Sequence, residues 1–113
     1  MVHIITKKHI TEYADKNPWY KRSLEEWLSL AKKSTWNMPQ DIVDTFGTKA
    51  TDLIGNNRVV IDIKGNHIRI IAKYQIHAKL NKSQLYIKWI GSHSEYDKLN
   101  KTRTQHTVDM FKK

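Results

Sequence analysis

Five residues in the C-terminal half of the chain are of types that act on phosphate esters: Arg69, Lys73, Lys88, His93 and Tyr96. Arg69 and Lys73 lie on a run of alternating residues, Ile68 to Ile76, and Lys88 lies on the next, Gln84 to Ile90. Side chains on a strand alternate between faces, so Arg69, Ile71, Lys73 and Gln75 share one face and Tyr86, Lys88 and Ile90 share one. The three cations then sit together on the open face of a sheet, although a slip of one residue would carry Lys88 across. Ser92-His93-Ser94-Glu95 has the form of a capping box, which puts His93 and Tyr96 at i, i+3 on the first turn of a helix. Cations beside a His and a Tyr, near the positive end of a helix dipole, suit an anionic substrate. Chemically this inventory can cleave RNA without a metal. The 2′-hydroxyl attacks the adjacent phosphorus, one group takes its proton, another protonates the departing 5′-oxygen, and fixed charge stabilises the phosphorane-like transition state.

Other chemistries find little support. The six His are dispersed, no H-x-x-x-H pair occurs, and acidic residues do not cluster in the basic half, so no metal or other cofactor is expected. There is no Gly-rich phosphate loop, Ser-centred elbow or dinucleotide fingerprint, and Gly65 and Gly91 read as turn glycines. The formal charge of +9 is unevenly spread: residues 1–63 carry nine Lys/Arg against eight Asp/Glu, residues 64–113 eleven against three. A scattered solvated surface predicts no such split, whereas a polyanion-binding half does.

The elements that must position these residues follow from the rest of the chain. Its 113 residues are enough for one core, and 39% hydrophobic residues with four Trp and five Tyr allow it to form. No apolar run approaches membrane-spanning length, MVHIITKKHI lacks the apolar region of an export signal, and Cys is absent, so a cytoplasmic protein without disulfides or membrane contact is expected. Val2 to Ile5 reads as a short strand or the lead into a helix, and Thr6 as the N-cap of a helix through Lys16. A second helix from Pro18 to Lys33 carries the stripe Tyr20, Leu24, Trp27, Leu28, Ala31, with Trp27 in the core. Ser34 to Asn37 reads as a connector. Met38-Pro39 opens a short helix ending at Gly47, Thr48 to Asn57 reads as irregular, and Arg58 to Ile63 as a strand turning through Lys64-Gly65-Asn66. The next strand's Ile68, Ile70, Ala72, Tyr74 and Ile76, and Leu85, Ile87 and Trp89 after it, form the faces packed on the helices. Residues 104–113 form a basic tail, a frayed helix or a mobile arm.

Two motifs carry a resemblance. Asp62-Ile63-Lys64-Gly65-Asn66-His67-Ile68-Arg69-Ile70-Ile71-Ala72 and Ile90-Gly91-Ser92-His93-Ser94-Glu95-Tyr96-Asp97-Lys98-Leu99 resemble, in order and spacing, the HigB toxins of type II toxin–antitoxin modules. The opening Val2-His3-Ile4-Ile5-Thr6-Lys7 is also similar, and the resemblance covers residues 1–103. It implies an α+β, RelE-like fold, with an N-terminal helical hairpin on a small antiparallel sheet and a short C-terminal helix. It further implies a ribosome-dependent mRNA interferase whose partners are mRNA, the ribosome and a HigA-type antitoxin with a helix-turn-helix domain, through which the complex binds operator DNA. By position Arg69 resembles the superfamily's strand arginine at the scissile phosphate, Tyr96 its C-terminal tyrosine and His93 the histidine ahead of it. These three are the expected catalytic residues, with Arg58, Lys73, Lys88 and Lys98 as RNA contacts. Base and acid stay undivided between His93 and Tyr96. The alternative is a non-catalytic RNA-binding or partner-binding module on the same fold. A DNA-binding reading is disfavoured because the longest helix is mixed in charge and committed to the core.

Overall fold

The computed structural model describes residues 2–5, 7–65 and 67–111, so the expected N-cap Thr6 and the turn residue Asn66 lie outside the described residues. Strand β1 (Val2–Ile5) leads into helix α1 (Lys7–Lys16), a 3-10 turn at Pro18–Tyr20, α2 (Lys21–Lys33) and α3 (Gln40–Phe46). Then come β2 (Thr51–Gly55), β3 (Arg58–Ile63), β4 (Ile68–His77), β5 (Lys82–Ser92) and α4 (His93–Lys101), with further 3-10 turns at Ala78–Leu80 and Thr104–His106. The fold is α+β. The five strands form one sheet in the order β1-β5-β4-β3-β2. Four strands run antiparallel, as expected, but β1 pairs with β5 in parallel, so the sheet is mixed. The helices and strands between β1 and β5 supply the long crossover that a parallel pair requires.

The first three helices cover one sheet face. Ile10 and Ala14 of α1, Leu24 and Trp27 of α2, and Ile42 of α3 join Val59, Ile61, Ile63, Ile68, Ile70, Ala72, Leu85, Ile87 and Ile90 in one buried cluster. Trp36, on a stretch that reads as a mere connector, is 1% exposed, and its indole N–H donates to Thr45 Oγ1 at 2.9 Å. The stretch read as irregular contains β2, hydrogen-bonded to β3. Asp52 and Gly55 are poor strand formers and β2 is an edge strand, which is why its pattern is weak. The better signal is Gly55-Asn56-Asn57: both Asn residues have φ of 58°, the left-handed conformation that tight hairpin turns demand.

Strand β5 departs from simple alternation. Ile71 pairs with Trp89 but Ala72 pairs with Ile87, so Lys88 is an extra residue, a β-bulge. Leu85 and Ile87 keep the helix face as expected. Beyond the bulge the faces exchange: Ile90 enters the helix-side cluster and Trp89 crosses to the other face, with Val60, Ile71 and Tyr96. Gly91 is no turn residue. It lies inside β5 opposite Arg69, and a Cβ there would stand 2.6 Å from two atoms of the Trp89 ring and 3.1 Å from Glu95 Oε1.

After α4 the chain doubles back over the sheet. Buried Arg58 donates from Nη1 to the carbonyls of Val108 at 2.7 Å and Gln105 at 3.3 Å, while Asn56 donates to the His106 carbonyl at 3.0 Å. The Met110 N–H donates to the carbonyl of the bulged Lys88 at 3.0 Å, and the Phe111 ring stacks on His9 at 3.8 Å. The segment Thr104–Asp109 thus packs along the face that carries α4, Met110 follows the β5 edge, Phe111 reaches α1 and the helix-side cluster, and Lys112 and Lys113 lie outside the described residues.

Overfilling a packed site costs typically 1–3 kcal/mol, so Gly91→Ala is expected to lower unfolding free energy by about 2 kcal/mol in urea titration. An unchanged midpoint would show that the Trp89 indole can leave Gly91 without loss.

Candidate functional site

The sheet face opposite α1–α3 carries an apolar ridge with a cleft on either side. Val60, Ile71 and Trp89 lie side by side across β3, β4 and β5, and Tyr96 buries against them, with Leu99 and Val108 packed on the group. One cleft, about 330 Å³, is lined by Thr51, Asp52, Asp62, Arg69, Tyr96 and Asn100 among others. The second, about 410 Å³, is lined by Asn57, Lys73, Tyr74, Gln75, Tyr86 and Lys88.

In the first cleft the register places Asp62 opposite Arg69, and Arg69 Nε donates to Asp62 Oδ1 at 2.7 Å. The pair is mostly shielded, with side chains 19% and 18% exposed. The guanidinium carbon lies 4.7 Å over the Tyr96 ring, and that ring meets Trp89 edge-on at 6.1 Å. Arg69 and Tyr96 therefore stand together, as the sequence predicts. Burial pushes the Tyr96 phenol above the ordinary tyrosine range; Arg69 opposes this, and Asp52, Asp62 and Asp97 add to it. At neutral pH the phenol therefore keeps its proton.

His93 opens α4 behind a complete capping box, in which Ser92 Oγ accepts from the Glu95 N–H and Glu95 Oε1 accepts from the Ser92 N–H. Its Nε2 is 3.5 Å from Asp97 Oδ2, its buried Nδ1 has no hydrogen-bond partner, and it is not among the residues lining either cleft. Lys98 is exposed on α4 and lines neither cleft.

The strand cations do not form one cluster. Lys73 is four residues beyond Arg69 on β4, about 13 Å along the strand, with the ridge between them. Lys88 stays on Lys73's side through the bulge, donates to Asp109 Oδ2 at 3.1 Å and lies 5.8 Å from the Tyr86 ring centre. Arg58, expected as an RNA contact, is 6% exposed and its Nη1 donates to two tail carbonyls, so it anchors the tail instead. Its type was legible but its burial was not, because the tail that covers it has no readable pattern.

Sequence reasoning gave no role to Asp62, which orients Arg69, or to Trp89, which backs Tyr96. Once β3 and β4 are paired through the Lys64-Gly65 turn, Asp62 must face Arg69, so the first was within reach. The second needed the bulge. Among the described residues no three His, Asp or Glu converge as metal ligands, and no helix is long and apolar enough to cross a membrane.

The chain matches the family model of HigB toxin, described as the RelE-like toxic component of a toxin–antitoxin system, over residues 20–99. It is 30% identical over 100 residues to a protein named mRNA interferase HigB from Escherichia coli O6:H1, covering 88% of this chain and 93% of that one. It is 24% identical over 96 residues to the mRNA interferase toxin HigB of Escherichia coli K12 and to the mRNA interferase HigB of Shigella flexneri, covering 85% of this chain and 88% of each.

Asp109 supplies a pH test. Burial pushes its carboxyl upward, but the hydrogen bond and charge of Lys88, the Phe111 N–H and Arg58 outweigh this and hold it below the ordinary range. A carboxyl depressed by folding stabilises in full above its unfolded pKa and loses that contribution as pH falls through the lower, folded value. Asp109→Asn is therefore expected to cost up to about 1 kcal/mol at pH near 7, and the difference from wild type in urea unfolding should shrink to nothing at strongly acidic pH. A difference that does not depend on pH would deny Asp109 this role.

Proposed function

Because this chain belongs to the HigB toxins, RelE-like toxic components of toxin–antitoxin systems, we propose that it is the toxin of such a module and acts as an mRNA interferase. The observation that carries the reading is the Arg69 guanidinium, gripped by Asp62 at 2.7 Å and lying over the Tyr96 ring at the wall of a polar cleft. A phosphodiester in this cleft meets a fixed cation, a protonated phenol and the amide of Asn100. The 2′-hydroxyl oxygen attacks phosphorus, Arg69 stabilises the charge gathering on the phosphoryl oxygens, and Tyr96 protonates the departing 5′-oxygen. The 2′-hydroxyl proton goes to a base from outside the cleft lining, for which His93, three residues before Tyr96 on α4 and beside Asp97, is the candidate. The products are a 2′,3′-cyclic phosphate and a 5′-hydroxyl, and no step requires a metal.

The excess of cations over residues 64–113 supports docking on ribosomal RNA phosphates, so cleavage is proposed to occur during translation, in the cytoplasm. Lys73 and Lys98 are assigned to RNA backbone rather than the reacting phosphate, a reading supported by their exposure outside the Arg69 cleft. Neutralisation is assigned to a HigA-type antitoxin with a helix-turn-helix domain, and operator binding to that partner.

End-mapping of a defined mRNA in a translating extract tests the reading. Wild-type protein is expected to create new 5′-hydroxyl ends, and Arg69→Ala and Tyr96→Phe each to reduce them about 100-fold. Tyr96→Phe keeps the ring against Trp89 and Arg69, which separates loss of the proton from loss of the fold. Translation blocked with the message intact in every case would instead make the protein a non-catalytic RNA-binding module. Cleavage of naked mRNA at the same sites and rate would remove the ribosome from the mechanism.

A further inference from the structure

Three of the four tryptophans are structural: Trp27, Trp36 and Trp89 are 5%, 1% and 7% exposed. Trp19 is 69% exposed. It is held on the 3-10 turn Pro18–Tyr20, at the break between α1 and α2. Lys64, from the β3–β4 turn, reaches it: Nζ donates to the Trp19 carbonyl at 3.2 Å and stands 4.2 Å from the indole centre. The neighbouring Tyr20 lies 6.1 Å from the His67 ring, and the His67 carbonyl accepts from the His93 N–H at 3.1 Å. The turn that holds the indole is thereby tied to the first residue of α4, and it runs directly into Ile68 and Arg69. The exposed ring belongs to the Arg69 end of the sheet, not the Lys73 end.

We infer that Trp19 and Lys64 form a stacking platform for single-stranded RNA at the Arg69 end of the sheet. With the ammonium over one face of the indole, the other face of this 69% exposed residue is open to a base, and the same ammonium can meet the adjoining phosphate. Stacking of this sort tolerates any base, since every base has such a face, so the platform adds affinity without choosing sequence. A protein partner fits less well. The core of a protein interface is depleted in lysine, and Trp19 lies between Lys16 and Lys21-Arg22 in the chain and beneath Lys64 in space. The inference rests on the proposed reading of the chain as a toxin acting on RNA, but it concerns binding and can stand or fall separately.

The probe is a 2′-O-methyl RNA of about 12 nucleotides, which can be bound but cannot be cleaved by 2′-hydroxyl attack. With the other three indoles buried, stacking on Trp19 should quench tryptophan emission of the wild-type protein on titration. Trp19→Ala is expected to abolish that quench and weaken binding, read by fluorescence anisotropy of a labelled probe, about tenfold. Trp19→Phe should lose the signal yet keep most of the affinity, and Lys64→Ala should flatten the logarithmic salt slope by about 0.7. All three variants alter exposed residues, and an unchanged circular dichroism spectrum verifies the fold. Emission unaffected by RNA, or equal anisotropy affinities for wild type and Trp19→Ala, overturns the platform even if wild type produces 5′-hydroxyl ends during translation. Emission that changes with protein concentration alone assigns the face to a second copy of the chain and overturns it too. Loss of affinity in Trp19→Ala with no 5′-hydroxyl ends from wild type upholds the platform and removes only the catalytic reading.

Discussion

One inserted residue in β5 sets the geometry on which the cleft depends. Without the bulge at Lys88, pure alternation would keep Trp89 beside Leu85 and Ile87, under the helices. With it, Trp89 emerges on the opposite face, two residues before Gly91. An indole can lie over position 91 only because that residue has no Cβ. Tyr96 then has an aromatic wall to meet edge-on, and Arg69 has a tyrosine ring to lie over. Each contact is modest alone, about 0.5–1.5 kcal/mol for the aromatic pair and a comparable amount for a partly shielded cation–π contact. Their value lies in order: bulge, indole, glycine, tyrosine, arginine. The cross-strand carboxylate Asp62 completes the series by fixing the guanidinium from the other side.

The same bulge recruits the tail. A bulged residue leaves a backbone group outside the ladder, and here the Lys88 carbonyl accepts from the Met110 N–H. Its side chain turns to Asp109, and Arg58 on β3 donates to two carbonyls further back. Burying a guanidinium is tolerable when carbonyls replace its water, and it is strongly unfavourable when they do not. The tail also brings Val108 against the group formed by Val60, Ile71, Trp89 and Tyr96. It divides the sheet face into two clefts and takes Arg58 out of any role at the surface. Formal charge therefore overstates the positive field of the face: Arg69 is paired with Asp62 and Lys88 with Asp109.

What could be read from the sequence was whatever repeats with a local period. The stripes of α1 and α2, the β-branched run of β3, the alternation of β4 and the capping box of α4 all have that character, and they positioned Arg69 and Tyr96 correctly relative to each other. What escaped was specified by contacts distant in sequence. Trp36 is core because Thr45 and Ser83 meet it, not because Ser34 to Asn37 has a pattern. A bulge is a mismatch between two strands and leaves no trace on one of them. Gly91 looked like punctuation because a glycine in a strand and a glycine ending one are the same letter. Arg58 looked like an RNA contact because charge is visible in a sequence and the 47-residue separation from Gln105 is not.

The Arg69–Asp62 pair also constrains how such a site can work. A guanidinium already bonded to a carboxylate presents less net charge to an incoming phosphate, so ground-state attraction at this point is weak. An interaction accelerates chemistry only insofar as it is stronger in the transition state, and the pair favours that difference. Charge accumulating on the phosphoryl oxygens during attack draws more from an oriented guanidinium than a resting diester does, and Asp62 holds the orientation so that none has to be found at that moment. A cleft of this kind needs its substrate delivered and held by contacts elsewhere. In this chain Lys49 is an exposed cation on the cleft wall, while Lys73, Lys98 and the Trp19–Lys64 pair lie outside it, where uniform binding of RNA would do the holding while the cleft is left to discriminate between resting and reacting phosphate.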